Sequence, residues 1–319
     1  MNNKLARMII RRIGQSIIVL LIVTLMVFLL MQLVPGDPIA NFLGANATPE
    51  QIEHYNKLFG FDQPVMVQYW KWLIGLFHGE MGRSVALQKD ISEVIFQRLG
   101  ITLSIVIPAF VFAVVLGIIL GITAAKNRGT AIDSVISFFA NIGMSMPMFW
   151  FGLILILIFA LKLHILPTSG FVSIKDGGIS GYFSHLLLPM LVLAAGPLAQ
   201  FTRQTRSSML EVIRQDYVTT AKAKGLGKRE ITFKHQLRNA LIPIITVMGV
   251  TLGGMIGGTV LVESIFVVPG LGNLMITSIK GRDFMVVEDG VLVIAIAVAI
   301  CNLIVDILYG VIDPRIRND

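Results

Sequence analysis

Ionisable side chains are scarce within the long apolar runs of this sequence, which limits where catalysis or ion coupling could occur. Three carboxylates lie near the ends of such runs: Asp133, Glu263 and Asp306. Helix capping or hydrogen bonding between helices accounts for carboxylates at these positions, whereas ion-driven transporters often keep carboxylates or His near mid-membrane. His164 and His185 lie far from the single Cys301 and from each other in the sequence. They predict no metal site, and Cys301 is interpreted as a small buried apolar side chain.

The sequence also lacks the short motifs that mark common catalytic and nucleotide-binding sites. It has no GxxxxGK(S/T) phosphate loop, no HExxH helix and no pair of Cys pairs. The GLG triplets at 225–227 and 270–272 do not complete a dinucleotide fingerprint. Met144, Met146 and Met148 would suit a soft metal, but alternate positions of a helix cannot all face one pore. We therefore expect no catalytic residue, no metal site and no cofactor in this chain.

Apolar residues dominate the elements that must position any functional group. Of the 319 residues, 55% are hydrophobic and only 14% are charged, whereas soluble domains have about 25% charged residues. A membrane-spanning helix needs about 20 mainly apolar residues. Six runs approach or exceed that length: 13–36, 99–125, 134–161, 177–202, 239–262 and 290–312. The sequence therefore predicts an all-α membrane protein with six transmembrane helices.

The distribution of Lys and Arg predicts the orientation of these helices. If the N-terminus is inside, 17 of the 26 Lys and Arg residues fall on the inner side, in four segments. Those segments are 1–12, 126–133, 203–238 and 306–319. An excess of Lys and Arg on the cytoplasmic side is the rule for membrane proteins. We expect a multi-pass protein of the cytoplasmic membrane with both termini cytoplasmic, and we assign its net charge of +7 to these loops rather than to nucleic-acid binding.

The region between the first two predicted spans, 37–98, is too long for a simple connector. Thr48 and Gln51 have the spacing of a capping box, and Pro49 suits the first turn of a helix that Gly60 can end. Pro64 can open a second helix, with four apolar residues on one side: Val67, Trp70, Ile74 and Phe77. This pattern predicts a small extracytoplasmic helical cap. Whether the cap contacts substrate or only packs on the bundle is left open by the sequence.

Two further features suggest bends and close packing within the bundle. Asn141, Ser145 and Pro147 lie in the third run, and Pro147 should kink that helix because proline has no backbone N–H donor. These three residues are candidates for a kink or for the lining of a pore. In the fifth run, Gly254 and Gly258 form a GxxxG pair suited to close helix approach, either within the bundle or between subunits.

The segment 264–279 is apolar but too short to cross a membrane, and Pro269, Gly270 and Gly272 interrupt it. We interpret it as a dipping or interfacial segment rather than a seventh span.

The longest charge-dense stretch of the sequence is 216–243, and the overlapping segment 206–240 has the pattern of a helical hairpin on the cytoplasmic side. From 208 to 224 the apolar residues Met209, Ile213, Tyr217 and Ala221 are spaced by four, which predicts one helix with an apolar face. Gly225 can end this helix. A second helix can begin near Lys228, with an apolar side made by Phe233, Leu237 and Leu241. The hairpin is either a docking element for a partner or a solvated basic loop that only fixes topology.

This hairpin resembles the EAA motif of ATP-binding-cassette (ABC) importer permeases, which forms a cytoplasmic coupling helix seated in a groove of the ATPase subunit. The resemblance implies a coupling role for seven residues: Thr219, Thr220, Ala221, Lys224, Gly225, Leu226 and Gly227. The sequence departs from the motif at Thr219 and Thr220, which replace the motif's Glu and first Ala. A contact normally made by that Glu is therefore absent here or made by another group.

The resemblance extends along nearly the whole chain and is closest to the first permease subunit of dipeptide, oligopeptide and nickel importers. The segments that carry it include VFLLMQLVPGDP (27–38), GEMGRS (79–84), ESIFVVPGLGNL (263–274) and DILYGVIDPRIR (306–317). It implies the type I ABC importer permease fold, divided into 1–36 with the first helix, the extracytoplasmic region 37–98 and a five-helix core at 99–319. It also implies that the protein is located in the cytoplasmic membrane of a bacterium or archaeon.

The partners implied by the resemblance are a second, homologous permease, two cytoplasmic ATPases that bind ATP and Mg²⁺, and an extracytoplasmic substrate-binding protein. The implied mechanism is alternating access, with peptides as the cargo and nickel or a metal–chelator complex as the alternative. Two hypotheses of other classes remain open at this point. A membrane scaffold would dock a cytoplasmic complex without transport, and an ion-coupled transporter would work without ATP.

Overall fold

The computed structural model describes residues 3–34, 38–43 and 47–312, and helices dominate this part of the chain. The helices are α1 (Asn3–Leu33), α2 (Pro38–Leu43), α3 (Pro49–Phe59), α4 (Val65–Phe77), α5 (Ile91–Lys126), α6 (Ala131–Ser145), α7 (Met148–Leu155), α8 (Ile174–Val212), α9 (Asp216–Ala223), α10 (Lys228–Glu230), α11 (Arg238–Ile265), α12 (Leu271–Gly281) and α13 (Phe284–Ile312). A π-helical segment, Ile156–Lys162, follows α7, and a second, Ile231–Leu237, joins α10 to α11. In the described residues the only β-pairing is an isolated bridge between Arg83 and Asp90.

Five helical segments are long and apolar enough to cross a membrane, and there are six if one bent pair counts as a single span. The five are Ile9–Gln32, Ile91–Lys126, Ile174–Val212, Ile231–Ile265 and Phe284–Ile307. This confirms the predicted all-α membrane class. The segments extend beyond several of the predicted runs because polar residues near the ends also adopt helical conformation. The last two residues of the first predicted run, 35–36, and the chain beyond 312 lie outside the described residues.

The third predicted run, 134–161, is two helices rather than one. Ala131–Ser145 and Met148–Lys162 are bent by 108° at their junction. Met146 has extended backbone angles, φ −78° and ψ 125°. A residue before proline is pushed out of the helical region by the proline ring, so Pro147 ends α6 and begins α7. The bend is much larger than an ordinary proline kink in a continuous helix.

The chain divides into two compact units, and the larger contains residues 103–268 with parts of α1 and α13. In this unit α5 and α8 approach closely where α5 has glycine. A Cβ on Gly117 would lie 2.7 Å from the Cβ of Phe201, and a Cβ on Gly121 would lie 2.7 Å from the carbonyl oxygen of Thr202. No side chain fits at either position without a shift of α8, so small residues permit this contact.

The predicted GxxxG pair of α11 does not pack as a unit against this chain. A Cβ on Gly254 would meet no atom within 4 Å, and one on Gly258 would make ordinary contacts with Leu193 and Met148. Gly249 is the tight position of α11, because its Cβ would lie 2.8 Å from Val305 in α13.

The smaller unit contains residues 11–102 and 269–297. Thr48 and Gln51 form the predicted capping box at the start of α3, and Gly60 ends the helix with φ 74°. In α4, Trp70 and Ile74 belong to the predicted apolar side, and each is 55% exposed. The buried face of α4 is a different one, which contains Tyr69 and Leu73. That exposed apolar face has the composition expected at a membrane interface.

The segment after α11 forms a short helix, α12, of 11 residues. At 1.5 Å per residue α12 is about 16 Å long, too short to cross a bilayer. This length agrees with the prediction that the segment is not a seventh span, and its interfacial position stays a prediction. In the smaller unit Arg98 donates to the carbonyl oxygen of Pro269 at 2.8 Å, and the Leu271 N–H donates to Thr102 at 2.8 Å.

Candidate functional site

A short helix, α9, stands between the long helices α8 and α11. The prediction of one continuous helix over 208–224 was wrong, because α8 ends at Val212 and α9 starts at Asp216. The intervening turn is closed by backbone hydrogen bonds from Ile213 to Met209 and from Gln215 to Val212. The turn changes the direction of the chain. The four apolar residues predicted to lie on one helix face therefore lie on separate elements: Met209, Ile213, Tyr217 and Ala221.

The end of α9 is a Schellman cap built around Gly225. Gly225 has φ +77°, a left-handed conformation that glycine adopts without steric cost. Its N–H donates to the carbonyl of Lys222 at 3.0 Å, and the N–H of Leu226 donates to the carbonyl of Ala221 at 3.4 Å. This is the bonding pattern of that cap. The sequence prediction that Gly225 ends this helix is confirmed.

A small apolar cluster holds α9 in place. Val218 is fully buried, and Ala221 and Ile231 are each 5% exposed. Val212 and Leu226 pack against this group as partly buried residues. Because Val212 is the last residue of α8 and Ile231 begins the π-helical segment that leads into α11, the cluster ties α9 to both spanning helices.

The segment after the cap has a different register from the predicted one. Residues 231–237 are π-helical, and Phe233 is 54% exposed. The buried residues are instead Ile231, Thr232 and Gln236. A π-helix has i→i+5 hydrogen bonds, so its faces differ from those of the ideal α-helix assumed from the sequence. The prediction of an apolar side containing Phe233 was therefore wrong.

An ion pair fixes the end of α8 next to this element. Arg206 Nε and Nη2 donate to the two carboxylate oxygens of Asp133 at 2.6 and 2.8 Å. The Asp133 side chain is only 8% exposed, and it also accepts from the backbone N–H of Gly129 at 3.1 Å. A bidentate Arg–carboxylate pair fixes both distance and orientation. From the sequence we predicted only a capping or hydrogen-bonding role for Asp133. Asp133 and Arg206 both lie at predicted cytoplasmic ends of spans, and their opposite charges could have indicated the pair.

Two weaker contacts also connect this element to neighbouring helices. The Nζ of Lys126, at the end of α5, lies 5.9 Å from the centre of the Phe233 ring, which is within cation–π range. Asn239 donates to the hydroxyl of Tyr217 at 3.0 Å, joining the first turns of α11 and α9.

The predicted coupling residues divide by exposure. Ala221 is buried and Leu226 is half-buried, so both serve the apolar cluster. The others are exposed: Thr219, Thr220, Lys224, Gly225 and Gly227. Thr220 bonds its own helix through the carbonyl oxygen of Asp216 at 3.0 Å. The exposed group forms a surface of short side chains, backbone and one ammonium group, next to further cations at Lys222 and Arg229.

The predicted pore or kink residues lie apart from this element along the chain. Ser145 and Pro147 line a surface recess of about 410 Å³ with Trp150 and other apolar residues at the α6–α7 bend. Asn141 is exposed one turn earlier in α6. Their role in a pore stays a prediction. Within residues 3–34, 38–43 and 47–312 no group of three or more His, Cys, Asp or Glu side chains is placed to hold a metal ion.

Two family models match the chain. Residues 117–318 match the binding-protein-dependent transport system inner membrane component, and residues 5–106 match the N-terminal part of such membrane components. The chain belongs to this family of transport permeases. Members of the family are membrane subunits of ABC importers, which makes this chain a multi-pass membrane protein of a transport system.

Curated permeases match this family member over nearly its full length. A putative peptide transport system permease of Brucella abortus is 39% identical, covering 98% of this chain and 99% of its own length. The oligopeptide transport system permease protein AppB of Bacillus subtilis is 40% identical over 98% of this chain and 100% of its own length. The dipeptide transport system permease protein DppB of Escherichia coli is 37% identical over 97% of this chain and 98% of its own length.

Solved structures show the same permease fold at low sequence identity. The inward-facing MetNI methionine ABC transporter matches with a TM-score of 0.57 and 18% identity, over 70% of this permease and 97% of that chain. An amino acid ABC transporter crystallised with histidines matches with a TM-score of 0.51 and 15% identity, over 70% of this permease and 94% of that chain.

Proposed function

We propose that this chain imports short peptides, as the permease subunit of an ATP-driven transporter. The observation that carries the proposal is the 37–40% identity, over nearly the whole chain, to permeases named for peptide, oligopeptide and dipeptide transport. Aligned lengths of 97–100% on both sides mean that the similarity includes the 37–98 region as well as the core.

The chain is a transporter subunit rather than an enzyme, since ATP is hydrolysed in ABC importers by separate ATPase subunits. Such an importer also has a substrate-binding partner. The finer composition that we propose is a second homologous permease, two ATPases carrying ATP and Mg²⁺, and one extracytoplasmic binding protein. The two permeases would form a heterodimer around the path of the peptide.

The proposed coupling step uses the α9 element. Its exposed residues, Thr219, Thr220 and Lys224, would sit in a groove of an ATPase subunit. Val218 and Ala221 pack against Val212 and Ile231, so a push on α9 is transmitted to the ends of α8 and α11. Closure of the ATPase dimer on ATP would therefore reorient spanning helices and expose the path to the other side.

The proposed orientation places α9 and both termini in the cytoplasm. The support is the excess of Lys and Arg in the four segments on that side of the predicted topology. The same orientation puts α3 and α4 outside, in the region where a substrate-binding protein would dock.

The function is tested by uptake in proteoliposomes that contain the permease pair and the ATPases, with the binding protein added on the outer side. We expect a labelled dipeptide to accumulate only when hydrolysable ATP is present. Ionophores that collapse proton and sodium gradients should leave this uptake unchanged, because the energy comes from ATP. Uptake that persists without ATP and stops with the ionophores would show an ion-coupled transporter, and ATP hydrolysis without any uptake would support a scaffold.

A further inference from the structure

A cavity of about 470 Å³ lies within the smaller unit, between α3, α4 and the first turn of α13. Its size falls within the roughly 300–1,000 Å³ typical of small-ligand sites. Aromatic side chains form much of the wall: Phe28, Phe59, Phe61, Trp72 and Phe284. Aromatic walls with a few polar groups are the usual composition of a ligand site, and none of the lining residues belongs to the coupling element.

One buried carboxylate, that of Glu288, lies on the wall of the cavity. Glu288 lines the cavity and is 7% exposed. Among the described residues no hydrogen bond or ion pair satisfies its carboxylate. A second acceptor, the Oε1 of Gln63, is buried and also lacks a hydrogen-bond partner in the described part of the chain. Unpaired buried acceptors are costly, so these two groups favour a ligand that carries hydrogen-bond donors.

Two lysines place ammonium groups at the same cavity. Lys71 and Lys57 both line it. Lys57 is bound to Glu53 at 2.6 Å, whereas the exposed Lys71 has no ion pair within the described part of the chain. The cavity therefore offers an acceptor for an ammonium group and a free ammonium for an anion.

The wall of the cavity is held in position by hydrogen bonds behind it. The indole Nε1 of Trp72 donates to Asp289 Oδ1 at 2.8 Å. The amide of Gln68 donates to the carbonyl oxygens of Phe61 and Gln63 at 3.2 and 2.7 Å. A wall fixed in this way loses little conformational entropy when a ligand binds.

We propose that this cavity binds a short zwitterionic peptide. Glu288 and Gln63 accept hydrogen bonds from the α-ammonium group, Lys71 pairs with the α-carboxylate, and the aromatic wall receives an apolar side chain. This inference rests on the proposed import of peptides and deepens it, because it gives the permease its own substrate site outside the binding protein.

The test measures peptide binding to the assembled transporter in nanodiscs, without the binding protein, by calorimetry. The probe is Ala-Phe, compared with N-acetyl-Ala-Phe and Ala-Phe amide, which lack the ammonium and the carboxylate. We expect wild type to bind Ala-Phe and Glu288→Gln to bind it at least about tenfold more weakly, as expected for a lost charged hydrogen bond. The same variant should leave binding of the acetylated peptide unchanged.

Lys71→Gln provides an independent variant, because Lys71 is exposed and its loss does not disturb packing. It should weaken binding of Ala-Phe about tenfold and leave binding of the amide unchanged. Glu93→Gln and Lys89→Gln are the matched controls, since both residues are exposed in the same unit and do not line the cavity. Both controls should bind Ala-Phe as wild type does.

Equal Ala-Phe affinity in wild type and in both cavity variants would overturn the inference. So would the absence of binding by a transporter that still imports Ala-Phe with ATP, and this result would leave the proposed function standing. A lipid headgroup as the natural occupant would also overturn it. In that case Ala-Phe would bind in nanodiscs free of phosphatidylethanolamine, and adding this lipid to the nanodiscs would abolish the binding. Cavity-dependent binding without any ATP-driven uptake would instead contradict the proposed function alone.

Discussion

At the scale of single residues, Gly225 determines how α9 ends. Its φ of +77° permits the two capping hydrogen bonds and directs Leu226 back onto the apolar cluster. A Cβ at this position would meet no atom within 4 Å, so the requirement for glycine comes from the backbone conformation alone. A side chain in the left-handed region costs about 1–2 kcal/mol.

Gly225→Ala should therefore loosen the cap and lower the amount of peptide imported per ATP hydrolysed. A cost of about 1 kcal/mol corresponds to roughly a fivefold fall in the population of the capped form. The measurement is the ratio of dipeptide uptake to phosphate release in proteoliposomes. Gly100→Ala is the matched control, because Gly100 is exposed, has open space for a Cβ, has no positive φ and lies outside the coupling element. An unchanged ratio in Gly225→Ala would remove the cap from the coupling account.

The Asp133–Arg206 ion pair joins α6 to the last part of α8. Asp133→Asn should lower the free energy of unfolding by about 3 kcal/mol, the lower end of the range for breaking a buried pair, because Arg206 is 31% exposed. The thermal unfolding midpoint in detergent measures this loss. Glu230→Gln is the control, since it removes the exposed pair with Lys234 and should cost less than about 1 kcal/mol. Similar shifts in both variants would mean that the buried pair has no special role.

At the scale of elements, the parts that the sequence predicted are those determined by local chemistry. The cap of α3 depends on Thr48 and Gln51, which lie within one helical turn of each other. The break between α6 and α7 depends on the pyrrolidine ring of Pro147. The turn at 213–215 and the π-helical segment 231–237 depend on side chains distant in the sequence, such as Val218 packing on Ile231. Spacing along one segment does not contain that information, so the continuous helix and the face with Phe233 were wrong.

The close approach of α5 and α8 gives a prediction at the same scale. Gly121→Ala should destabilise the permease by about 1–3 kcal/mol, because a Cβ there would overlap Thr205 and the Thr202 carbonyl. The thermal unfolding midpoint should fall. Gly100→Ala is the control in the same helix, because its Cβ would meet nothing within 4 Å. That control should be neutral or slightly stabilising, since alanine is the better helix former. Equal loss in both variants would contradict the close packing.

At the scale of the whole molecule, this permease lacks any motif for using ATP and depends on a partner for energy. The α9 element is the proposed point of contact, and its apolar cluster leads to two spanning helices. Between Gly178 and Val212, α8 runs for about 50 Å at 1.5 Å per residue. We therefore expect a movement of its α9 end to extend across most of a membrane's thickness.

The central claim, that α9 docks onto the ATPase, is tested most directly by cross-linking in the assembled transporter. Cys301 is the sole cysteine, so Cys301→Ser gives a background in which Ala223→Cys is the only thiol in this chain. Ala223 is exposed on α9, and Thr168→Cys is the control, exposed in the connection before α8 at its opposite end. A short thiol-to-amine linker should join position 223 to an ATPase subunit, with a yield that changes on adding ATP, and should not join position 168. Absence of the cross-link at 223 in a transporter that still imports peptide would contradict the account.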